Sequence, residues 1–456
     1  MDRFKRIPVR EQEPNVRATN FEEVCLGYNE EEAVAEASRC LNCPKPRCVG
    51  GCPVGINIPG FIAKVKERDF EGAAKEIAKY SALPAVCGRV CPQENQCEGQ
   101  CVLGVKGEAV AIGKLERFVA DWAREHKVDL SQKDAPKGKK VAIIGAGPAG
   151  LTCAGDLAKK GYEVKIFEAL HKAGGVLEYG IPEFRLPKEV VRRETKRISE
   201  LGVSFICNSI VGRDITIDQM FESGFDAVFI GTGTAISKEL NIPGKELTGV
   251  IQSHYFLRMV ALYNSKSLER KEVPVDEGDT VLVIGAGNVA MDAARTALRM
   301  GAKSVTVVYR RGQENMSAEK AEYESAVADN VKFMWETSPV EYVGRDGRLE
   351  GLKVMNNDNE FIIPADKVLV AIGSKPAKRI ISTTKGIEVN DNGYLITKEK
   401  PYGMTTLNGV FAGGDVVHQP ATVVLAMKEA KKVVAGIASY VDAVKLLGYK
   451  REDIQN

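Results

Sequence analysis

KVAIIGAGPAG, at residues 140–150, is an apolar strand that runs into a glycine-rich turn and then into a helical pattern. TVLVIGAGNVA, at residues 280–290, repeats this form about one domain length later. A strand, glycine turn and helix in this order is typical of a parallel sheet covered by helices, with a dinucleotide bound at the turn. The chain is therefore predicted to be α/β, with two Rossmann-like nucleotide-binding domains.

The first turn has the residues that a dinucleotide requires. Gly145 permits the tight bend, Gly147 lets the backbone approach a pyrophosphate and Gly150 allows close packing of the helix. The free N–H groups and the dipole of the helix N-terminus favour an anion. Glu168 ends the next strand, where it can accept hydrogen bonds from a ribose 2′-hydroxyl, so a tight turn without a ligand is the weaker interpretation.

The second turn carries Gly285, Gly287 and, as the accepted third position, Ala290. Its following strand ends without an acid and has Arg310 and Arg311 instead. A carboxylate would repel a 2′-phosphate, whereas guanidinium groups bind it through charge-assisted hydrogen bonds. The second site is therefore predicted to select NADP(H) over NAD(H), with a pair of solvated arginines at a strand end as the alternative.

Two such folds in one chain usually mean one flavin and one nicotinamide. The first unit adds Gly231 and Gly233 in DAVFIGTGT, and Gly414 and Asp415 in GVFAGGDVV. Asp415 is expected against the ribityl chain of FAD, in a flavin disulfide-reductase-like pattern. Residues 256–372 contain no cysteine, however, which disfavours a thiol-disulfide reductase and predicts another exit for the electrons.

The cysteines cluster near the start of the chain. Nine of the eleven lie in the first 101 residues, and eight of those lie between Cys40 and Cys101. In a reducing compartment such crowding indicates metal ligation rather than disulfides. One helical pattern runs from Asn29 to Leu41, and a short helix begins near Pro59. Two further helical patterns run from Asp69 to Tyr80 and from Ala111 to Lys127.

The predicted domains follow from these features. They are a helical iron-sulfur domain at residues 1–134, an FAD domain in two parts at 139–255 and 373–456, and an inserted NADP(H)-binding domain at 256–372. A polar linker near residues 128–138 separates the helical domain from the remainder.

The cysteine spacing predicts two interleaved clusters. The order is Cys40-x2-Cys43-x4-Cys48-x3-Cys52-Pro53, then Cys87-x3-Cys91-Pro92, Cys97 and Cys101. In two-cluster ferredoxin patterns the cysteine before proline binds the other cluster, so ligands from both halves should interleave. Spacing alone makes all eight cysteines candidate ligands. Structural zinc is the alternative, although zinc sites seldom occur as two interleaved quartets.

The composition excludes some partners. Lys plus Arg total 63 against 61 Asp plus Glu, and a formal net charge of +2 gives no electrostatic footprint for nucleic acid or an anionic membrane. The start of the chain has no apolar segment of a secretory signal, and no run of about 18 apolar residues occurs. We expect a cytoplasmic protein with small-molecule or protein partners.

Over nearly its whole length the chain resembles the glutamate synthase small (β) subunit family, through CLNCPKPRCVGGCP, CGRVCPQENQCEGQC, AIGKLERF, GAGPAG, GGVLEYGIPEFRLPKE, GAGNVAMDAAR, YRRGQENM and GVFAGGD. The family includes the subunit that feeds NADPH electrons to glutamate synthase, the large subunit of the electron-bifurcating NADH-dependent ferredoxin:NADP oxidoreductase, and the N-terminal half of dihydropyrimidine dehydrogenase. GIPEFRLPKE looks closest to the bifurcating type. The resemblance implies FAD, NADP(H) and two [4Fe-4S] clusters, with Gly175 in the FAD site.

The resemblance also implies the ligands. For the first cluster they are Cys40, Cys43, Cys48 and Cys101. For the second they are Cys52, Cys91, Cys97 and a side-chain oxygen of Glu116, with Cys87 a non-ligand. A helical wheel permits this, because Glu116 lies on the flank of the apolar face while Lys114 and Arg117 are expected to point away. A boundary charge is the alternative interpretation of Glu116.

Two stretches depart from the family pattern. Ser317 and Glu319 stand where the family has Pro and Arg after the NADP arginines, which bears on the nucleotide preference. The stretch at residues 418–420, His-Gln-Pro, replaces smaller residues beside Asp415 and can alter the surroundings of the flavin.

The interpretation is an enzyme in which NADP(H) and FAD exchange hydride, and FAD exchanges single electrons with the clusters that lead to a partner. No side chain is assigned a catalytic role, because the cofactors carry the chemistry. The first hypothesis is the large subunit of a bifurcating transhydrogenase-like complex, with a second flavin and iron-sulfur subunit, and ferredoxin, as partners. The alternatives are a glutamate synthase small subunit, with the large subunit as partner, and a non-enzymatic scaffold.

Overall fold

The structure is a computed structural model that describes residues 2–447. Its first part is mainly helical and contains the eight clustered cysteines. The elements of this part are β1 (Arg10–Glu11), α1 (Pro14–Arg17), β2 (Cys25–Gly27), α2 (Glu30–Ala37), α3 (Arg47–Gly51), α4 (Ile58–Lys66), α5 (Phe70–Ala78), α6 (Pro84–Val90) and α7 (Ile112–Glu125). The predicted helical character of this part is confirmed, and no helix or strand lies between α7 and residue 140.

The helices of this part begin where the sequence predicts. The Asn29 side chain accepts a hydrogen bond from the backbone N–H of Glu32 in a capping box, and Asp69 caps α5 through Gly72. Pro59 lies in the first turn of α4. The predicted end of α2 at Leu41 is wrong. The helix ends at Ala37, because the chain then bends through Asn42, whose φ is 47°.

A seven-stranded sheet forms the first nucleotide-binding unit, in two chain segments. The first segment contains β3 (Lys140–Ile144), α8 (Pro148–Lys159), β4 (Glu163–Phe167), α9 (Val176–Tyr179), α10 (Lys188–Glu200), β5 (Ser204–Ile206), α11 (Ile217–Glu222), β6 (Ala227–Ile230) and β7 (Ile236–Ser237). A five-stranded sheet and a small antiparallel sheet form the second unit. Its elements are β8 (Val250–Gln252), α12 (Ser253–Asn264), β9 (Thr280–Ile284), α13 (Asn288–Arg299), β10 (Ser304–Val308), α14 (Lys320–Ala328), β11 (Lys332–Met334), β12 (Ser338–Arg345), β13 (Arg348–Asn356), β14 (Asn359–Pro364) and β15 (Lys367–Val370).

The chain then returns to the first unit. This segment contains β16 (Ser374–Lys375), α15 (Arg379–Thr383), β17 (Thr397–Glu399), β18 (Tyr402–Thr405), β19 (Val410–Ala412) and α16 (Val423–Leu447). No helix among residues 2–447 is both long and apolar enough to cross a membrane.

The strand orders place both glycine turns at the carboxyl edge of a sheet. In the first unit the order is β17-β18-β19-β6-β3-β4-β5, parallel from β19 to β5. In the second unit the order β11-β10-β9-β15-β8 is parallel throughout. The turns follow β3 and β9, which lie between strands on either side. Such edges are the ligand-binding positions of open α/β sheets, and the predicted Rossmann-like units are confirmed.

Two short strands connect the units. β7 pairs antiparallel with β16, and the Ser374 hydroxyl donates to Thr234 Oγ1 across 2.8 Å. β8 belongs to the second sheet although it precedes residue 256, so we propose that the inserted domain begins before Val250.

The helical part is not an independent body. Its buried residues, among them Phe61, Leu83 and Leu115, form one continuous hydrophobic core with Leu151, Val190 and Met427 of the first unit. The second unit has a core of its own around α12 and α13. A cofactor bound by the cysteines would therefore have a fixed position relative to the first unit.

A buried charge cluster joins the start of the chain to the second unit. Asp329 receives hydrogen bonds from Arg17 Nε at 2.7 Å, Arg295 Nε at 2.9 Å and Arg299 Nη1 at 3.1 Å. The Arg299 guanidinium also lies 3.9 Å from the ring centre of Phe184, a residue of the first unit. All three parts of the fold thus meet around one carboxylate.

Candidate functional site

The four cysteines that the resemblance gives to the first cluster lie together. One cavity is lined by Cys40, Cys43, Cys48 and Cys101. Its other walls are mainly apolar and include Leu41, Ile58, Ile62, Val102 and Ile112. All four are half-buried, and Leu41 and Val102 are exposed. Burial, with the nearby thiols of Cys40 and Cys101, raises the pKa of Cys48 to about 11. The cavity therefore lies at the protein surface. It brings together four thiols, which an iron-sulfur cluster requires as ligands.

Local backbone features aim these thiols inward. Cys43 follows Asn42, whose positive φ reverses the chain after α2. Cys48 lies in the short helix α3, and Cys101 follows the 3₁₀ turn at Glu98–Gln100. Cys101 lies far along the chain from the other three cysteines, and the fold brings it to the same cavity.

A second group contains Cys52, Cys91, Cys97 and Glu116. Burial raises the pKa of Cys52 and of Cys97, and in both cases the charge of Glu116 adds to the effect. A hydrogen bond with Cys87 and burial raise the pKa of Cys91, again with a contribution from Glu116. Glu116 therefore lies near enough to all three cysteines for its charge to act on them.

Glu116 has the properties expected of a ligand. It is 7% exposed, and its Oε1 has no hydrogen-bond partner among the described residues. Burial, followed by the charge of Glu194, raises the pKa of Glu116 to about 8. An unpaired carboxylate at such a position is costly unless something positive binds it. The side chain therefore fits an iron-sulfur cluster.

The neighbours of Glu116 differ from the prediction in one respect. Arg117 does not point into solvent: it is buried and lies 3.1 Å from Glu23 and 3.5 Å from Asp121. The helical wheel missed this because β2 and its flanking segment cover that side of α7, as contacts between β2 and α7 show. Lys114 is half-buried.

Cys87 lies close to the same group but is held by the core. It is 2% exposed, and its Sγ lies 3.5 Å from Met427 Sδ. Within the described residues, no three His, Cys, Asp or Glu side chains converge on a single metal position. The thiolates of a four-iron cluster bind different iron atoms and need not converge in this way, whereas the ligands of zinc must.

The first glycine turn is shaped for a pyrophosphate. A Cβ added at Gly145, where φ is 98°, would lie 2.8 Å from the carbonyl oxygen of Gly231, and one at Gly150 would lie 1.9 Å from that of Gly145. A Cβ at Gly147, in contrast, would meet nothing within 4 Å. Two glycines thus close the turn, and the third leaves open the position where a phosphate approaches the N-terminus of α8.

Glu168 is bonded to this turn. Its Oε2 accepts from the backbone N–H of Ala146 at 2.7 Å, and its Oε1 accepts from that of Leu170 at 2.9 Å. Burial raises the pKa of Glu168, while these backbone bonds oppose the rise. Each oxygen retains a lone pair, so the carboxylate can still accept a ribose hydroxyl.

The other predicted FAD residues surround the same turn. A Cβ at Gly175 would lie 2.8 Å from the Cα of Gly147, and one at Gly414 would lie 2.9 Å from the Cβ of Ala149. The backbone N–H of Gly231 donates to Ile144 at the end of β3. Gly233 has a φ of 61° and open space beside it.

Asp415 lies in the 3₁₀ turn after β19, next to Gly414. Burial raises the pKa of Asp415 to about 6, although a backbone hydrogen bond from Ala421 and the nearby His418 oppose the rise. An acid in this position can accept a hydroxyl hydrogen bond, which is the role that the sequence predicts for it.

The second turn repeats the geometry. A Cβ at Gly285, where φ is 121°, would lie 2.4 Å from the carbonyl oxygen of Ala371. Gly287 precedes the first turn of α13, and a Cβ there would lie 3.3 Å from Ser317 Oγ. Ala290 is fully buried. The serine that departs from the family pattern therefore lies beside the position where a phosphate would approach.

The two arginines follow β10 and are exposed. Arg311 Nε donates to the Tyr309 hydroxyl at 2.9 Å, which fixes its direction. No side-chain hydrogen bond or ion pair connects Arg310 to another described residue. The backbone N–H of Glu319 donates to Asn288 Oδ1, and burial and the charge of Glu94 raise the pKa of Glu319.

One set of polar residues was not predicted. Gln252 and Ser253 join β8 to α12, and each carries a buried oxygen without a hydrogen-bond partner among the described residues. Strand β8, which ends at Gln252, is only three residues long and is not followed by a glycine turn, so its sequence gives no sign of a binding edge.

Two family models cover most of the chain. Residues 17–128 match the model described as dihydropyrimidine dehydrogenase domain II, 4Fe-4S cluster, and residues 139–430 match pyridine nucleotide-disulphide oxidoreductase. Residues 129–138, between α7 and β3, lie between the two matches.

Similar proteins extend over nearly the whole chain. The glutamate synthase [NADPH] small chain of Halomonas elongata is 38% identical over 96% of this chain and 98% of its own length. The corresponding Escherichia coli protein is 35% identical with the same coverage. The NADP(+)-dependent formate dehydrogenase subunit beta of Moorella thermoacetica is 36% identical over 86% of this chain, which spans 59% of that subunit.

Solved structures share the fold of the two nucleotide-binding units. Mycobacterium tuberculosis FprA in complex with NADPH has a TM-score of 0.56 at 20% identity, covering 68% of this chain and 86% of its own. Lactococcus lactis thioredoxin reductase has a TM-score of 0.53 at 22% identity, covering 67% of this chain and 99% of its own.

Proposed function

Because the chain belongs to the family of NADPH-dependent glutamate synthase small chains and related oxidoreductase subunits, we propose that it exchanges electrons between NADP(H) and a partner subunit while holding FAD and two [4Fe-4S] clusters. It is an NADP-dependent oxidoreductase with FAD-type and iron-sulfur domains. The observation that carries the proposal is the combination in one chain of two glycine turns and two groups of clustered cysteines. The scaffold alternative does not explain why the phosphate position at Gly147 is kept open.

Each cofactor has its own residues. The first turn with Glu168 and Asp415 would hold FAD, and the second turn with Arg310 and Arg311 would hold NADP(H). FAD, when bound, links the two-electron chemistry of a nicotinamide to single-electron transfer. The chain supplies position and electrostatics. No catalytic side chain is assigned.

The two thiol groups suggest an order. Glu116 lies near Glu194 of the first unit, and Cys87 in the same neighbourhood contacts Met427 of α16. The cavity of Cys40, in contrast, adjoins exposed Leu41 and Val102. We therefore propose that the thiol group that includes Glu116 lies closer to FAD. The thiol group that includes Cys40 would lie closer to the partner subunit.

Two assemblies are candidates for the partner. The sequence GIPEFRLPKE favours a bifurcating transhydrogenase-like complex. The partners would then be a second flavin and iron-sulfur subunit, and ferredoxin. The full-length similarity to glutamate synthase small chains favours a glutamate synthase large subunit. The names of other relatives, a formate dehydrogenase subunit and an NADPH-Fe(3+) oxidoreductase subunit, indicate that the family serves several partners.

Affinity purification from the native cell tests the assignment. The subunit that copurifies distinguishes an amidotransferase from a second flavin subunit. The isolated chain should oxidise NADPH with artificial acceptors, but it should not convert glutamine and 2-oxoglutarate, nor reduce ferredoxin with NADPH and NAD. Full physiological activity of the isolated chain would contradict the proposed role as one subunit.

A further inference from the structure

The junction of β8 and α12 carries buried polar atoms without partners. Gln252 Oε1 and Ser253 Oγ form no hydrogen bond with any described residue. Ser253 is 0% exposed. An unpaired buried hydroxyl is unfavourable, and such groups in native proteins are nearly always satisfied by protein, water or ligand. The first turn of α12, a helix of twelve residues, adds free backbone N–H groups at the same place.

Strand register puts this junction on the nucleotide edge of the second sheet. Gln252 pairs with Val370, Val370 with Ile284, and Ile284 with Val308, so the four residues form one row across four parallel strands. Gly285 directly follows this row in β9. Neighbouring strands are about 4.8 Å apart, so Gln252 lies about 10 Å from the glycine turn, on the side away from β10.

This position corresponds to one end of a bound dinucleotide. A dinucleotide lies along the carboxyl edge of the strands, with its pyrophosphate at the glycine turn. Arg310 and Arg311, after β10, would take the 2′-phosphate at the adenosine end. The nicotinamide end must then extend in the opposite direction, over β15 and β8.

The same junction adjoins the first unit. α12 packs against α9, which begins just after Gly175. A Cβ at Gly175 would lie 2.8 Å from the Cα of Gly147 in the first glycine turn. The unpaired atoms therefore lie on the side of the second unit from which a nicotinamide could reach a flavin.

We propose that Gln252 and Ser253 bind the carboxamide of the nicotinamide. Gln252 Oε1 accepts a hydrogen bond from the carboxamide NH₂, and the Ser253 hydroxyl donates to its carbonyl oxygen. The two side chains would thereby orient the ring for hydride exchange, as positioning residues. This inference rests on the proposed NADP(H) site. The pyrimidine edge of a flavin has similar amide chemistry, so the test must separate the two ligands.

Equilibrium titration of the FAD-loaded protein with three nucleotides makes this separation. NADP⁺ has the carboxamide, 2′,5′-ADP has no nicotinamide, and the 3-acetylpyridine analogue of NADP⁺ keeps the carbonyl but has no NH₂. Ser253→Ala should weaken NADP⁺ and the analogue about five- to tenfold and leave 2′,5′-ADP unchanged. Gln252→Leu should weaken NADP⁺ by a similar factor and leave the other two unchanged.

Tyr255→Phe, which changes an exposed residue of the same helix turn, is the matched control and should bind all three like the wild type. Gln252 is only half-buried, so its variant is expected to fold even if Ser253→Ala does not. Unchanged NADP⁺ affinity in folded Gln252→Leu would overturn the inference, as would loss of FAD with nucleotide affinity retained, which would assign the atoms to the flavin. Failure of 2′,5′-ADP to bind the wild type would instead contradict the proposed NADP(H) site.

Discussion

The thiol of Cys87 lies 3.5 Å from the sulfur of Met427, where α6 packs against α16. The hydroxyl of Ser81 approaches the same thiol at 3.9 Å. Cys87 is thus surrounded by core contacts on two sides. Glu116, by contrast, has a buried oxygen that no described residue satisfies. Cys87 also forms a hydrogen bond with Cys91, so it lies beside the second thiol group. We propose that the carboxylate of Glu116, rather than Cys87, completes the ligands of this group.

Glu116→Ala is expected to lose or convert one cluster. A carboxylate oxygen is a harder ligand than a thiolate, so its removal should change both retention and potential of the cluster that it binds. The iron content should fall and the paramagnetic resonance signal should change, while the FAD spectrum stays normal. Cys87→Ala is the matched variant and should keep both clusters. The opposite pattern, with a cluster lost only in the Cys87 variant, would show that all eight cysteines are ligands.

Replacement of Arg310 and Arg311 by glutamine is expected to weaken NADPH much more than NADH. Each charge-assisted contact with the 2′-phosphate should contribute about 1–3 kcal/mol, and NADH has no such group. Steady-state assays with an artificial acceptor measure both nucleotides. Arg345→Gln, a change at an exposed arginine of β12, serves as control. An equal loss for NADPH and NADH would refute the assignment.

Asp329→Ala is expected to be severely destabilising. The three guanidinium groups around Asp329 are at most 5% exposed, so removal of the carboxylate leaves buried positive charges without compensation. Breaking such a cluster costs about 3–5 kcal/mol in the free energy of unfolding, measurable by denaturant titration. Glu71→Ala breaks the exposed pair with Lys75 and should cost less than about 1 kcal/mol. Similar effects of the two variants would mean that Asp329 is not a structural centre.

Asp415 is expected to make stability depend on pH in the FAD-free protein. Burial raises the pKa of Asp415 in the folded state to about 6, above the value of about 3.9 for an unfolded chain. The folded state then binds the proton more tightly, so the stabilisation is complete below about pH 4 and is lost as pH rises through about 6. Thermal unfolding of Asp415→Asn should lack this part of the pH dependence. Parallel curves for variant and wild type would contradict the assigned burial.

The sequence was sufficient for the parts of the site that depend on local patterns. The glycine turns have backbone conformations that few other residues adopt, so KVAIIGAGPAG and TVLVIGAGNVA indicate both strand and turn directly. The capping residues Asn29 and Asp69 act within one helical turn, and for this reason their helices begin where predicted.

Features that depend on distant contacts could not be predicted in this way. Arg117 was expected in solvent because a helical wheel contains no information about Glu23, which reaches it from another segment. Arg17 and Asp329 are separated by most of the chain, and their ion pair exists only because all three parts of the fold meet there. Ser253 was missed for the same reason, since its importance comes from the register of β8 in the second sheet.

The central claim is that this one chain carries electrons from NADPH to FAD and iron-sulfur clusters. Anaerobic titration of the purified chain with NADPH, followed by visible absorbance of the flavin and by paramagnetic resonance of the clusters, tests it most directly. We predict that NADPH bleaches the flavin and generates the signal of at least one reduced cluster, and that NADH at equal concentration does so far less effectively. A protein in which NADPH leaves both flavin and clusters oxidised, although dithionite reduces them, would contradict the account.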